Sequence, residues 1–351
     1  MDTITHGIAG GVLARSASDR PGARAAVAIG LIAAMLPDLD ILYIRTRLDY
    51  LRYHRGLTHS FVVLPVFALL VALAARLVFR RARLTTLWLF AAIGIASHIV
   101  LDWITSFGTM FFFPLSQHRY SLDWVFILDP FFTGLAALTL FASLVYRSRG
   151  RAIAVAGSSA LAVYVAFCAV QHARALDAWR RADRPPLGSR VAALPQFLSP
   201  FRWLGLSDRG DAVDAGFFDV GPFARGVDDP RPPRRFSEIL ASLADFYPPI
   251  ARVKIRRFPH PPPSPALAAA RSRPDVEAYL RFARFPRAVV RAGPGGGTEI
   301  VWEDLRFLPW FAGPWQMDAK GVLRRRPFLF RVRFDAAGRT LESRVVSDPL
   351  P

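Results

Sequence analysis

Read from its first residue, the chain alternates long apolar runs with short arginine clusters until about residue 170, and then changes character. Phe61 to Phe79 is a run of 19 residues whose only charge is Arg76, long enough as a helix to cross roughly 30 Å of hydrocarbon. Leu84 to Ile104, Val125 to Tyr146 and Ala152 to Val170 read the same way, bounded by Arg80-Arg81-Ala82-Arg83 and Arg147-Ser148-Arg149-Gly150-Arg151. Ala25 to Ile44 is a fifth apolar segment. Pro37 lacks an amide donor and disfavours helix before it, so this segment is expected to break there and to present Asp38 and Asp40 from irregular backbone. Such backbone is tolerated at membrane depth only against protein or a water-filled cavity. The first fifteen residues lack the order of a signal peptide, and Ile4 to Leu13, short for a span, makes a sixth segment as a short or half-inserted helix. The pattern therefore predicts an α-helical polytopic membrane domain of five or six segments over residues 1–170.

Beyond Val170 the period changes. Residues 171–190, with Arg180-Arg181-Ala182-Asp183-Arg184-Pro185-Pro186, read as a polar linker. In residues 191–351, Phe328, Phe330, Val332 and Phe334 alternate with Arg331, Arg333 and Asp335, a period-2 strand. Ala336-Ala337-Gly338-Arg339 then turns it into a partner over Thr340 to Val346, a hairpin. Arg252 to Phe258 and Thr298 to Leu305 are further predicted strands, and Ser237 to Phe246 a helix. Gly293-Pro294-Gly295-Gly296-Gly297 has no following Gly-Lys-Ser/Thr and precedes a strand, so it reads as a hairpin turn and not a phosphate loop. The expectation is a small extramembrane α+β domain, mostly sheet.

Composition sharpens the division. The chain has 351 residues and a formal charge of +18; the first 170 residues hold 15 basic and 8 acidic residues, the remaining 181 hold 30 and 19. With 52% hydrophobic residues and a single cysteine, intrinsic disorder, a disulfide scaffold and a cysteine zinc finger are excluded. Arg231-Pro232-Pro233-Arg234-Arg235 and Arg324-Arg325-Arg326 lack the stacking aromatics of a nucleic-acid module, so no nucleic-acid partner is expected and the bilayer is. In a six-segment topology one set of loops carries nine arginines and the other five. The positive-inside tendency then puts the nine in the cytoplasm and the tail on the outer, periplasmic face.

Ionisable groups inside apolar segments are costly and mark sites. Five of the seven histidines lie in the first 118 residues, and six of the eight early acids are Asp38, Asp40, Asp49, Asp102, Asp123 and Asp129. His98 and Asp102 are four apart in a predicted helix and so project from one face. In the six-segment topology His6, Asp38, Asp40, His54, His59, His98, Asp102, Asp123 and Asp129 all fall near one membrane face. That convergence, with no cysteine beside it, favours one or two divalent ions, Zn first and Mn, Fe or Mg after it. The expected ligands are His6, Asp38, His54, His59, His98 and Asp102. Asp40 and Asp123 are the expected proton acceptors, Asp129 reads equally as a helix cap, and Arg45, Arg55 and Arg119 are placed to hold an anionic group of a membrane-associated substrate. The run Met110-Phe111-Phe112-Phe113 reads as lipid-facing surface.

The residues Thr5-His6, Pro37-Asp38-Leu39-Asp40, His54-Arg55-Gly56-Leu57-Thr58-His59-Ser60 and His98-Ile99-Val100-Leu101-Asp102, in that order, resemble the bacterial inner-membrane family typified by YdjM and YbcI. The resemblance covers about residues 1 to 135 and implies an integral membrane protein and metal-assisted hydrolysis, with a lipid or other phosphoester or ester as the substrate class. Two alternatives stand beside it: passage of a divalent cation or protons through the same cluster, and a membrane-anchored regulator whose tail binds a partner. A transporter needs polar groups continuing to the opposite face, and in this reading they stop at one.

Overall fold

The computed structural model describes residues 1–18, 22–222, 224, 246–308 and 328–346. The chain divides into two units, one of Met1–Arg45 and Tyr53–Val170, the other of Thr46–Arg52 and Gln171–Pro351. The first is helical: α1 (Thr3–Ser16), α2 (Ala23–Met35), α4 (Leu64–Val78), α5 (Leu84–Trp103), α6 (Pro130–Val145) and the first part of α7 (Gly150–Asp183). The short α3 (Arg47–Tyr53) falls mostly in the second unit.

Local chemistry sets the helix ends. Asp2 caps α1 by accepting the Thr5 amide at 3.0 Å, and Asp129 caps α6 by accepting the Phe132 amide at 2.8 Å, with Pro130 at the first helical position. Pro37 ends α2 as expected, and the chain continues as a 3-10 helix over Leu36–Leu42 that carries Asp38 and Asp40. A second 3-10 turn, Leu57–His59, precedes α4.

Among the described residues, three helical stretches are long and apolar enough to cross a membrane: Ala23–Leu42, Leu84–Trp103 and Gly150–Asp183. A fourth is the bent pair Arg47–His59 and Leu64–Val78, at 73° to each other, when taken as one span. At 14 and 16 residues, α1 and α6 fall short of a span. By length and composition three to four spans stand where five or six are expected. Leu70, Leu73 and Leu77 of α4, Leu138 and Phe141 of α6 and Val163 of α7 are exposed. Such an apolar outer surface is what a bilayer, not water, accommodates.

Small residues bring the inner helices together. A Cβ on Gly10 of α1 would lie 2.5 Å from the Gly30 carbonyl oxygen, and one on Gly30 of α2 would lie 2.6 Å from that of Gly10, so the two backbones touch. Close backbone approach through glycine and alanine is how helices associate where lipid removes the hydrophobic drive. Ala14, Ala26, Ile29 and Ala33 pack there with Ala91, Ile95 and Ile99 of α5. This packing carries His6, Ala34 and His98 into one place.

The second unit is built of antiparallel sheet. Strands β1 (Arg190–Gln196), β2 (Ser199–Asp208), β3 (Ala212–Asp219) and β4 (Arg256–Pro259) form one sheet in that order. Strands β5 (Pro286–Ala292), β6 (Thr298–Asp304), β7 (Leu329–Phe334) and β8 (Thr340–Val346) form the other, with helices α8 (Pro265–Arg271) and α9 (Pro274–Phe282) preceding β5. The expected hairpin is β7–β8, turning at Gly338 with φ 77°, and the glycine run joins β5 to β6. The strand expected over Arg252 to Phe258 starts only at Arg256, because Ile250–Arg252 forms a 3-10 turn.

The expected linker is helical: α7 runs to Asp183, burying Gln171, Ala175, Trp179 and Asp183 at every fourth residue. Trp179 stacks on Phe218 at 5.8 Å and donates its indole N–H to Ser207 Oγ at 2.9 Å. Gly205 of β2 makes room for it, since a Cβ there would lie 2.1 Å from the indole. Leu194, Leu204, Leu206 and Val213 of the first sheet pack with Phe285, Leu305 and Leu308 in a separate core. The helix expected over Ser237 to Phe246 and the basic runs at 231–235 and 324–326 lie outside the described residues, except Phe246.

Candidate metal centre

Four side chains from three elements converge. Asp38 comes from the 3-10 helix after α2, His59 from the 3-10 turn before α4, and His98 and Asp102 from one face of α5. One donor atom from each lies within 4.8 Å of all the others. His59 Nε2 and His98 Nε2 are 2.9 Å apart, and each is 3.4 Å from Asp102 Oδ2. Asp38 Oδ1 is 3.7 Å from His59 Nε2 and 3.5 Å from His98 Nε2. Tetrahedral zinc with bonds of about 2.0–2.1 Å separates its ligand atoms by about 3.3 Å. The observed spacings bracket that value.

Hydrogen bonds around the cluster fix which nitrogens face inward. His98 Nδ1 lies 2.6 Å from the Ala34 carbonyl oxygen, which can only accept, so Nδ1 carries the proton. Thr58 donates its hydroxyl to the Pro37 carbonyl at 3.0 Å, so toward His59 Nδ1, at 2.9 Å, its oxygen accepts. Both rings thus turn a bare Nε2 toward the cluster, the tautomer a metal ligand requires. With both rings neutral, two lone pairs face each other at 2.9 Å beside two carboxylate oxygens, a clash that a proton shared between the nitrogens or a metal ion among them relieves. Asp102 Oδ2 is buried and accepts no hydrogen bond; Arg55 Nε approaches it to 2.9 Å as an ion pair without hydrogen-bond alignment. Its partner atom Oδ1 is held by His6 Nε2 at 3.1 Å and the Met1 amino group at 2.5 Å. The four donors fit a divalent ion. Asp38, whose second oxygen accepts from the Thr3 hydroxyl at 2.5 Å, is the least enclosed, its side chain being 17% exposed.

The remaining expected residues surround the cluster at different removes. His6 is fully buried behind Asp102, its ring stacked on His98 with centroids 3.6 Å apart. His54 is held through Nδ1 by Asp40, at 2.9 and 3.0 Å, and meets His59 edge to face at 5.7 Å. Asp40 also accepts the Arg55 amide at 3.1 Å and lies 3.8 Å from His59 Nδ1. Neither His6 nor His54 is among the four converging donors. Arg55 donates to Thr105 Oγ1 at 3.1 Å and lies over the Phe107 ring at 4.9 Å. Arg119 donates to the carbonyls of Gly108 and His54, at 3.1 and 3.0 Å. Arg45 is exposed and makes no hydrogen bond or ion pair among the described residues.

Asp123 is buried at φ 59° in the loop after α5, where the neighbouring amides of Leu122 and Trp124 bond the carbonyls of Trp103 and Ile104. Asp129 acts as the cap of α6 and accepts the Tyr164 hydroxyl at 2.7 Å.

Several contributors carry little signal in the sequence. Ala34 acts through its carbonyl, and Thr58 through a hydroxyl whose direction depends on Pro37. Met110 and Phe111, expected at the lipid surface, are buried, and only Phe112 is exposed. The reason is that this segment anchors the histidine loop. The Met110 amide bonds the Arg55 carbonyl, the Phe61 amide bonds the Phe111 carbonyl, and Ser60 Oγ lies 2.9 Å from the Phe111 and 2.6 Å from the Phe113 carbonyl. Arg55, at φ 60°, holds the loop in a backbone conformation that is strained for a bulky residue.

Residues 1–175 match the YdjM inner membrane protein family, and through them the chain belongs to that family. YbcI, an inner membrane protein of Escherichia coli (strain K12), is 38% identical over 107 residues, 29% of this chain and 61% of its own length. YfhP of Bacillus subtilis (strain 168) is 28% identical over 151 residues, 40% of this chain and 46% of its own length. The chain thus spans between about half and three fifths of the relatives it matches. No solved structure matches it.

Proposed function

We propose that this member of the YdjM inner membrane protein family is a multi-pass, membrane-embedded, metal-dependent hydrolase acting on a lipid or other membrane-associated phosphoester or ester. The observation that carries the reading is the pair of imidazole Nε2 atoms, 2.9 Å apart, beside the Asp102 oxygen that accepts no hydrogen bond, in a cluster whose His59, His98 and Asp102 are buried. Asp38, His59, His98 and Asp102 are the proposed ligands of one divalent ion, zinc by donor type and spacing. When bound, the ion supplies Lewis acidity at a phosphoryl or acyl oxygen.

The chain's own residues do the rest. Asp40 holds His54 through Nδ1 and leaves Nε2 as the basic nitrogen, so His54 is the proposed acceptor of the proton of the attacking water. His6, the ring behind Asp102, and Arg55, its ion-pair partner, keep that carboxylate aimed at the cluster. Arg119, bridging the Gly108 and His54 carbonyls, lies at the loop carrying the base and is the proposed contact for an anionic substrate group. Asp38, the most exposed of the four, marks the side from which substrate enters. In this topology α1 and α6 complete a six-segment domain, and the site lies toward the periplasm.

Two variants separate binding from chemistry. The metal-loaded wild type is expected to hydrolyse at least one member of a panel of lipid phosphoesters and esters. His54→Ala is expected to retain the metal and lose turnover, whereas His59→Ala loses both. Turnover by His54→Ala at the wild-type rate would remove His54 from the reaction, and turnover that survives in metal-free His59→Ala would overturn the hydrolytic reading altogether.

A further inference from the structure

At the other end of the same helices lies a cavity of about 530 Å³, lined by Arg15, Arg147, Ser148, Arg149, Arg151, Ala152 and Val155. His6 and Arg15 stand near opposite ends of α1, and Asp129 and Arg147 flank opposite ends of α6, so this cavity is separate from the histidine cluster. Among the described residues, four guanidinium groups share it and no carboxylate lines it.

Arg15 is the unusual member, because it is only 3% exposed. It donates to the Ser18 carbonyl and hydroxyl, at 3.1 and 3.3 Å, both of them neutral. It forms no ion pair among the described residues. Burying a guanidinium without an anion is costly. The first turn of α7, which begins here at Gly150, contains no acid, and its Arg151 and Ala152 line the cavity. Arg147 and Arg149 are exposed and make no side-chain hydrogen bond or ion pair among the described residues, while Arg151 reaches the Ser16 carbonyl at 3.2 Å. Ala152 and the exposed Val155 give the cavity an apolar flank continuous with the outer surface of α7.

We infer that this cavity binds a phosphate-bearing anion, with the arginines on the phosphate and Ala152 and Val155 beside the first carbons of an acyl-linked ligand such as an anionic phospholipid. Arginine suits phosphate because its planar fork matches two oxygens at once. Diffuse attraction between basic loops and an anionic leaflet is general. A cavity around a buried arginine adds a single, saturable place.

The test uses the full chain in detergent, with native mass spectrometry after incubation with short-chain phosphatidic acid, with phosphatidylcholine of the same chain length, or with inorganic phosphate. Retention of one phosphatidic acid per protein, with phosphatidylcholine lost, is expected. Each arginine near an anionic group contributes on the order of a fivefold change, so Arg147→Gln/Arg149→Gln/Arg151→Gln should weaken retention about a hundredfold. These side chains are exposed, so the variant is expected to fold, and its unchanged metal content at the histidine cluster would show it. Arg15→Met should abolish the single-site component. Inorganic phosphate that binds alone as tightly as the lipid identifies a soluble phosphate as the ligand, and failure of phosphate to bind alone identifies the lipid headgroup. Equal retention of phosphatidylcholine and phosphatidic acid, or unchanged retention in both variants, would overturn the inference without touching the histidine site.

Discussion

Replacing Thr58 by valine tests the least obvious part of the site. The substitution keeps the volume and branching of the side chain but removes the oxygen that accepts from His59 Nδ1 at 2.9 Å and the hydroxyl that donates to the Pro37 carbonyl at 3.0 Å. His59 then loses the bond that selects its tautomer and holds Nε2 toward Asp38, His98 and Asp102. Groups that orient a ligand from behind typically contribute about 10- to 100-fold in metal affinity, which is about 1.4–2.7 kcal/mol. Thr58 is only partly enclosed, so the cost to the fold itself should be small. Zinc affinity would be measured by chelator competition on the detergent-purified chain, with Thr58→Ser as the control that keeps the hydroxyl. Valine should fall within that range and serine should stay near wild type. Equal affinity for valine and wild type would refute the assignment of the proton to Nδ1, and with it the argument that two bare nitrogens face each other.

Three further outcomes follow from the packing. Gly30→Val drives a side chain into the Gly10 carbonyl, which is backbone and cannot swing aside; overpacking costs about 1–3 kcal/mol, and the helical unit should melt earlier and bind metal more weakly as Ala34 moves away from His98. Trp179→Ala empties a fully buried site against Phe218, a loss of about 3–5 kcal/mol, read as an earlier thermal transition of the sheet unit with metal binding retained. For Asp214, burial alone would raise the pKa, but hydrogen bonds from Arg257 and Arg209 outweigh it and hold the carboxyl below its ordinary 3.8. Its contribution is therefore present above pH 3.8 and is lost as pH falls through the lower folded value; Asp214→Asn should flatten that acid limb in a pH series of thermal melts, and an unchanged limb would exclude this network as its source.

Much of the site was legible because its elements announce themselves locally. The four-residue spacing of His98 and Asp102 places both on one face of α5, and Pro37 by its missing amide turns Asp38 and Asp40 out of the helix. The division of labour was not legible. Whether Asp40 faces a metal or the ring of His54 depends on where the 3-10 helix meets the histidine loop, a tertiary fact. His6 likewise has the right chemistry, yet its nitrogen is directed at Asp102 Oδ1. In the fold, β7 and β8 were visible because apolar and charged residues alternate cleanly. Strands β1 to β3 escaped because both faces of their sheet carry buried residues, Ala193, Trp203 and Phe218 on one and Leu194, Leu204 and Val213 on the other, so alternation is weak. The continuation of α7 did carry a signal, the four-residue recurrence of Gln171, Ala175, Trp179 and Asp183, but its polar composition and Arg180-Arg181 masked it.

The central claim is that Asp38, His59, His98 and Asp102 hold a metal ion. It is tested most directly by elemental mass spectrometry on detergent-purified protein, wild type beside His59→Ala/His98→Ala, each reconstituted with Zn, Mn or Mg and then desalted. About one equivalent of metal in the wild type, as a four-donor site of this kind binds, and none in the double variant is the expected result. No metal in the wild type after reconstitution, or the same content in both proteins, would contradict the account.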